Sequence, residues 1–269
     1  MSASPAAAPG IAPVPPRQRR WWLRGAIVGV VTAMTVWAVV GIGFDLGVLM
    51  RNLAAANRLI DDSFPPEWSF LPQLWGPFIE TVQIAIIGTI VGGLVAVPVA
   101  ILAARPIAPK RWINFIDRNF MNVLRTMPDL FWAMLFASAV GFGPLAGALA
   151  LSVFTVAVVS KLFSESIESI DLGLLEAVRS TGGNWFETVK LSVLPQVLAH
   201  YVSYVLYAFE LNIRSSMVLG LVGAGGIGMV LEEQRTTFQY QRVTLIILAI
   251  FVVVLLIERT AELARRRLV

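Results

Sequence analysis

The chain has 269 residues, of which 57% are hydrophobic and only 14% charged, with a mean hydropathy of +0.75. Soluble domains carry charge on about a quarter of their residues, so most of this surface must face lipid. The absence of cysteine excludes disulfide frameworks, thiolate metal sites and cysteine nucleophiles, and a single histidine, His200, excludes a multi-histidine metal site.

Residues 1–25 read as a disordered, Ala/Pro-rich and basic tail containing Arg17, Arg19, Arg20 and Arg24. A charge-free run from Ala26 to Phe44 follows. The only cleavage-like cluster of small residues, Ala54-Ala55-Ala56, lies beyond its end, so the run is a retained first span and not a signal peptide. Leu46, Leu49, Leu53, Asn57 and Ile60 then fall at helical spacing, with Arg51, Arg58 and Asp61 mostly on other faces. This predicts a periplasmic interfacial helix, ended by Pro65-Pro66 and Pro72. Residues 26–77 therefore form the first span with that helix, and 78–269 form the main transmembrane domain.

Five further spans are expected. The second runs from Phe78 to Leu102, the third from Met121 to Val140, the fourth from Leu145 to Phe163 and the fifth from Val197 to Leu219. The third and fourth make a hairpin through Gly141 to Pro144. The sixth has a charge-free run only from Val243 to Ile257, short of the roughly 20 residues needed to cross. Arg242, Glu258 and Arg259 must snorkel there, or the helix must extend through Thr260 to Leu263.

Sidedness follows from the basic residues, which in a membrane protein report orientation and not a nucleic-acid surface. With the N-terminus inside, fifteen of the 21 Lys and Arg residues fall on inner segments and four, Arg51, Arg58, Arg235 and Arg242, on outer ones. Arg125 and Arg214 remain within spans. Both termini are then cytoplasmic, as six spans require.

One inner segment breaks the apolar pattern. Between spans four and five, residues 171–195 predict a short helix around Leu174 to Ser180, a stop at Gly182-Gly183, and a second helix with Asn184 as its N-cap. Leu194-Pro195 closes that second helix just before span five. Two short helices joined stiffly to a span make a lever that transmits a push.

Other motifs carry less. Gly223-Ala-Gly225-Gly226-Ile-Gly228 matches the letters of a dinucleotide fingerprint, but a transmembrane helix precedes it where a strand is required. A flexible, closely packed segment at the outer end of a pathway suits it better, because glycines let backbones approach and bend. Lys110, Lys161 and Lys190 all lack the glycine run of a phosphate-binding loop, so no ATP hydrolysis is expected from this chain alone. No catalytic constellation of an intramembrane hydrolase is present either.

Glu176-Ala177, Gly182 and Leu194-Pro195 resemble the Glu-Ala-Ala…Gly…Leu-Pro loop of ABC importer permeases, with Val178 where that pattern often has alanine. Leu124-Arg125-Thr-Met-Pro128, Phe209 to Ser215 and Leu219 to Gly228 look like the phosphonate-importer branch of that family. The similarity covers roughly Leu74 to Val269. The methionine-importer branch shares the glycine-rich segment, so the stretch Glu210 to Arg214 is what points to phosphonates.

The resemblance implies an all-α polytopic membrane protein with six transmembrane helices of the type I importer fold, methionine-importer-like in its membrane part. Its cytoplasmic coupling helix would sit in a cleft of an ATPase subunit, with Glu176, Ala177, Gly182, Gly183, Leu194 and Pro195 as coupling residues. It further implies a homodimer with the pathway at the subunit interface, two ATPase subunits that bind ATP and Mg, and a periplasmic or lipid-anchored binding protein. The chain would be a non-catalytic subunit with no cofactor of its own, in the inner membrane of a bacterium. Phosphonate or a related phosphorus oxyanion, phosphate or phosphite, is the expected cargo, and methionine is the alternative within the family. A secondary transporter should show inverted repeats and broken spans, and the sequence shows neither.

Two charged pairs fall inside spans. Arg214 lies two-thirds along span five, with Glu210 four residues earlier on the same face. Either the two form a structural ion pair, or Arg214 helps an oxyanion through the pathway. Arg125 and Asp129 share the spacing near the inner end of span three and read as a structural pair or a gate; Lys161 and Glu165 read as a solvated pair. Gly225, Gly226 and Gly228 are candidates for an outer gate.

Overall fold

The structure is a computed structural model that describes residues Trp21 to Arg266, apart from a few side chains in the second helix and near the end of the last. All the described secondary elements are helical. The chain divides into two compact units, residues 1–57 and 58–269.

The first unit holds α1 (Trp21–Gly41) and most of α2 (Leu46–Ser63). α1 starts at Trp21, so residues 21–25, expected in the tail, are helical; the tail through Arg20 lies outside the described residues. Trp21 and Trp22 are the first described residues of this helix, and both are exposed. α2 is helical over the residues where the interfacial helix is expected, with the side chains of Leu49 and Leu53 outside those described. Asp45 caps it by accepting from the Gly47 N–H at 2.7 Å.

The second unit begins with a 3-10 turn, Trp68–Leu74, that runs directly into α3 (Trp75–Ala103). Pro72 sits inside that turn instead of ending a helix. Phe70 and Leu74 are buried with Phe78, Leu245 and Ile246. Phe70 and Leu74 therefore belong to the core of the second unit, which runs from residue 58. α4 (Arg111–Thr126), α5 (Asp129–Val140), α6 (Pro144–Glu168), α7 (Leu172–Ser180) and α8 (Trp185–Thr188) follow, then α9 (Leu194–Gly220), α10 (Gly226–Thr236) and α11 (Tyr240–Arg266). Among the described residues five helices are long and apolar enough to cross a membrane, or six if α4 and α5 count as one span.

The third span is not the single helix expected. α4 and α5 meet at an angle of 91°. Met127 is extended (φ −85°, ψ 132°), as the residue before a proline tends to be, because the Pro128 ring clashes with a helical predecessor. One break is therefore present among the described residues, contrary to the continuous reading.

α6 is the centre of the unit and packs on α3 through small residues. A Cβ on Gly92 would lie 2.5 Å from the Ser152 carbonyl oxygen and from the Thr155 Cβ, so the two backbones nearly touch. Two buried hydroxyls on these helices are satisfied within their own helix: Thr89 donates to the Ala85 carbonyl and Ser152 to the Ala148 carbonyl, both at 2.7 Å. In an apolar medium this keeps donors paired at no cost in lipid contact.

α11 reaches Arg266, the longer of the two lengths expected. Its charges do not simply snorkel. Arg242 Nε donates to Glu67 Oε2 at 2.8 Å, with its guanidinium 4.9 Å from the Phe70 ring centre.

Candidate functional site

The segment 171–195 is held stiff at every joint. Asp171 caps α7 by accepting from the Gly173 N–H at 2.8 Å. Its own N–H donates to Gln196 Oε1 at 3.1 Å, which ties the entry of α7 to the start of α9. α7 ends in a paired turn: the Gly182 N–H donates to the Arg179 carbonyl and the Gly183 N–H to the Val178 carbonyl, both at 3.1 Å. That is the Schellman geometry, and it needs the positive φ of +85° that Gly182 adopts. Gly183 is specified by space, since a Cβ there would meet the Val178 carbonyl oxygen at 2.8 Å. Asn184 then opens α8 as expected, in a capping box with Glu187.

The exit differs from expectation. The second helix does not close at Leu194-Pro195; α8 runs through a π bulge, Val189–Val193, into α9 without a gap. The Leu194 N–H reaches the Val189 carbonyl five residues back. Proline has no N–H and its ring crowds the carbonyl four residues earlier, and a widened turn just before Pro195 relieves that clash. A push on α8 therefore enters span five through continuous helix.

Two further bonds brace the segment from the α3–α4 connection. Trp185 Nε1 donates to the Ile107 carbonyl at 2.7 Å, and Arg179 Nη2 donates to the Pro106 carbonyl at 3.1 Å. Leu175 is buried with Ile107, Ile167, Val193 and Val197. Its neighbours in sequence point the other way: Glu176 and Ala177 are exposed, together with Leu172, Leu174 and Phe186. A braced element thus leaves a mixed acidic and apolar surface exposed. Residues 96–269 match the family described as "Binding-protein-dependent transport system inner membrane component".

The chain belongs to that family.

Relatives and solved structures agree with the assignment. The permease is 35% identical over 96% of its length to a phosphate-import permease of Mycolicibacterium smegmatis, of which it spans about half (48%). It is 34% identical over 91% of its length to a phosphite transport system permease of Stutzerimonas stutzeri, covering 90% of that protein. It is also 43% identical over 45% of its length to a putative cryptic phosphonate transport system permease of Escherichia coli, covering 99% of it. Its fold is that of type I ABC importer permeases. It overlays the MetNI methionine ABC transporter with a TM-score of 0.66 at 19% identity, over 76% of this chain and 99% of that one. An amino acid ABC transporter gives 0.61 at 20% identity, over 74% and 95%. Membership in this family removes the secondary-transporter alternative despite the break at Pro128.

The permease brings Glu210 and Arg214 together as expected, at 2.7 Å, but not as an isolated pair. Arg214 also pairs with Glu258, and Arg265 pairs with Glu210 at 2.7 Å. The four charges alternate and balance across α9 and α11, with Glu210 the most enclosed of them. Arg214 additionally borders an open cavity of about 410 Å³ with Pro128, Asp129 and Ser215.

Arg125 and Asp129 do not form the expected pair. The break at Pro128 takes them off a common helix, and among the described residues no ion pair joins them; Asp129 Oδ2 instead accepts from Ser215 Oγ at 3.1 Å. Both still border a small cavity of about 90 Å³ with Trp132. Lys161 and Glu165 pair at 2.9 Å, as their spacing indicates.

The glycine-rich segment is closely packed. A Cβ on Gly228 would fall 1.9 Å from the Met217 carbonyl oxygen, and one on Gly225 would fall 2.9 Å from Glu80 Oε1. The Ile227 N–H donates to Thr81 Oγ1 at 2.8 Å, so α10 is seated on α3. Gly226 follows Gly225 with φ also positive, which shapes the sharp entry to α10.

Asn212 has no counterpart in the sequence reading. Fully buried in α9, it donates through Nδ2 to Thr89 Oγ1 at 2.8 Å and Thr155 Oγ1 at 2.7 Å, joining three spans at one point. An amide in an apolar run is the one signal that could have found it; its partners lie on other helices.

Proposed function

We propose that this chain is the permease subunit of an ATP-driven importer for phosphonate or a related phosphorus oxyanion, phosphate or phosphite. Relatives that match it over most of its length carry phosphate and phosphite in their names, whereas the likeness to the methionine transporter is one of fold. The bundle end that carries α7 is cytoplasmic, with both termini on that side of the inner membrane, as the distribution of basic residues requires. The chain itself hydrolyses no ATP. It acts as a homodimer with two ATPase subunits, which bind ATP and Mg, and with a binding protein that delivers cargo on the other face.

The braced and outward-facing coupling segment carries this reading. Glu176 and Ala177 meet the ATPase, and closure of the ATPase dimer pushes α7. The Asp171–Gln196 bond and the α8–α9 continuity pass the displacement into span five. Alternating access follows because the bundle responds as a rigid lever between two packings. Arg214 is held between Glu210 and Glu258, so its role is to tie α9 to α11 during that movement; an anion would have to displace Glu258 to reach it. Gly225, Gly226 and Gly228 seat α10 as the outer barrier, and the bend between Arg125 and Asp129 is the flexible joint of the pathway wall.

Two measurements test the proposal. Glu176→Ala combined with Gly182→Pro is expected to abolish co-purification of the ATPase and uptake of phosphonate, phosphite and phosphate while the permease still folds. Intact uptake in that variant overturns it. Calorimetry of the cognate binding protein with phosphonates, phosphite, phosphate and methionine identifies the cargo, and binding of methionine alone removes the phosphorus assignment.

A further inference from the structure

A second basic feature lies beside the coupling segment, on the connection that braces it. Arg105, Ala108, Arg111, Asn114, Phe115 and Arg118 line an open cavity of about 570 Å³, within the range of small-molecule sites. Four of them, Arg111, Asn114, Phe115 and Arg118, form one stripe of α4, and the other two come from the connection that precedes it.

The charges are unequally answered. Arg118 pairs with Glu168, and its Nε donates to the Ala103 carbonyl at 3.0 Å. Glu168 also accepts the Arg105 backbone N–H at 3.1 Å, so this carboxylate is committed. The guanidinium groups of Arg105 and Arg111 then have no carboxylate partner among the described residues. Arg111 is the first residue of α4, whose first turn contains no acidic side chain, so the positive helix end adds to the same field. Trp112 and Phe115 stand exposed next to it, at 60% and 69%.

We propose that this cavity binds a phosphate group, either the headgroup of an anionic phospholipid or a free phosphorus oxyanion. Two uncommitted guanidinium forks can each offer paired donors to phosphate oxygens, which an ammonium cannot do. For a lipid, the aromatic rim would hold the glycerol region while the exposed Ile116 and Phe120 take acyl chains. For a free oxyanion, the arginines alone make the site, and released cargo is the source. In both cases the ligand sits against residues 105–108. The carbonyls of Pro106 and Ile107 brace Arg179 and Trp185 there, so occupancy stiffens the coupling segment. The assignment does not depend on which phosphorus compound is transported.

The test uses the full-length permease purified in detergent. Retention of phosphatidylglycerol is compared with phosphatidylcholine by native mass spectrometry, and inorganic phosphate binding is read by equilibrium dialysis. Wild type is set against Arg105→Gln/Arg111→Gln. Removing two charge-assisted contacts should weaken binding of the preferred probe by about tenfold or more. Selective loss of phosphatidylglycerol identifies a lipid site, and selective loss of inorganic phosphate identifies a site for the free oxyanion. Equal binding of phosphatidylglycerol and phosphatidylcholine together with no phosphate binding overturns the proposal, as does a double variant that binds like wild type. If the double variant does not extract folded, the exposed single change Arg111→Gln carries the same comparison.

Discussion

The coupling segment and the charge cluster between α9 and α11 are both polar interruptions of an apolar chain, and they treat their polar groups in opposite ways. In residues 171–195 the backbone is satisfied by caps and braces while Glu176 and Ala177 are left free. In the cluster every carboxylate and guanidinium is matched: Glu210 with Arg214 and Arg265, and Glu258 with Arg214. On the proposed function, residues turned outward serve a partner and polar residues consumed internally serve the fold. Changes in the cluster should therefore remove protein, and changes in the segment should remove coupling while protein remains.

The largest effect is expected at Glu210. It is the most enclosed member of the cluster, and Glu210→Ala removes a partner from both Arg214, which keeps Glu258, and Arg265. Those guanidinium groups are 47% and 30% exposed, so the cost falls below the roughly 3–5 kcal/mol of a fully buried pair. The expected outcome is a large drop in detergent melting temperature, with uptake falling in proportion to folded protein. Normal melting with lost uptake would place Glu210 in the pathway and erase the contrast with the coupling segment.

Trp185→Phe should behave in the reverse manner. It keeps an aromatic, though smaller, ring but loses the Nε1 donor to the Ile107 carbonyl, a bond worth about 1 kcal/mol net. Melting should barely change, whereas each ATP hydrolysed by the reconstituted complex should move less cargo. An unchanged ratio of uptake to hydrolysis would show that the brace from the α3–α4 connection is not part of the lever.

The two regions were also unequally legible. The segment's helices, the Gly182-Gly183 stop and the Asn184 cap are all local, so a reading of neighbours a few residues apart finds them. The cluster is not local: Arg214 and Glu258 are 44 residues apart in sequence, and only Glu210 is visible from Arg214 at helical spacing. Asn212 was missed for the same reason, because Thr89 and Thr155 reach it from other helices. The break at Pro128 was readable, since proline restrains the residue before it, but the apolar run on either side outweighed it. At Pro195 the same residue type misled in the other direction, because a π bulge absorbed it without ending the helix.

Asn212→Ala extends the contrast to a neutral polar group. Interhelical hydrogen bonds in membrane proteins are worth about 0.6 kcal/mol on average and 1.7 at most, because the separated helices find other partners. The change should lower stability by about 1 kcal/mol and leave coupling intact, placing Asn212 with the fold-serving group.

The smallest effect tests the same distinction with pH. The hydrogen bond from Arg242 holds the Glu67 carboxyl below its ordinary value of 4.5. A carboxylate with a lowered folded pKa contributes stability that is complete above its unfolded pKa and is lost as pH falls through the folded one. The wild-type protein should therefore lose stability below about pH 4.5 more steeply than Glu67→Gln, which cannot titrate there. Glu67 is accessible to solvent and screened, so the difference between the two acid limbs should be small. An effect as large as that of Glu210→Ala would mean that exposure is no guide to which ion pairs hold this fold, and the ordering from cluster to surface would fail.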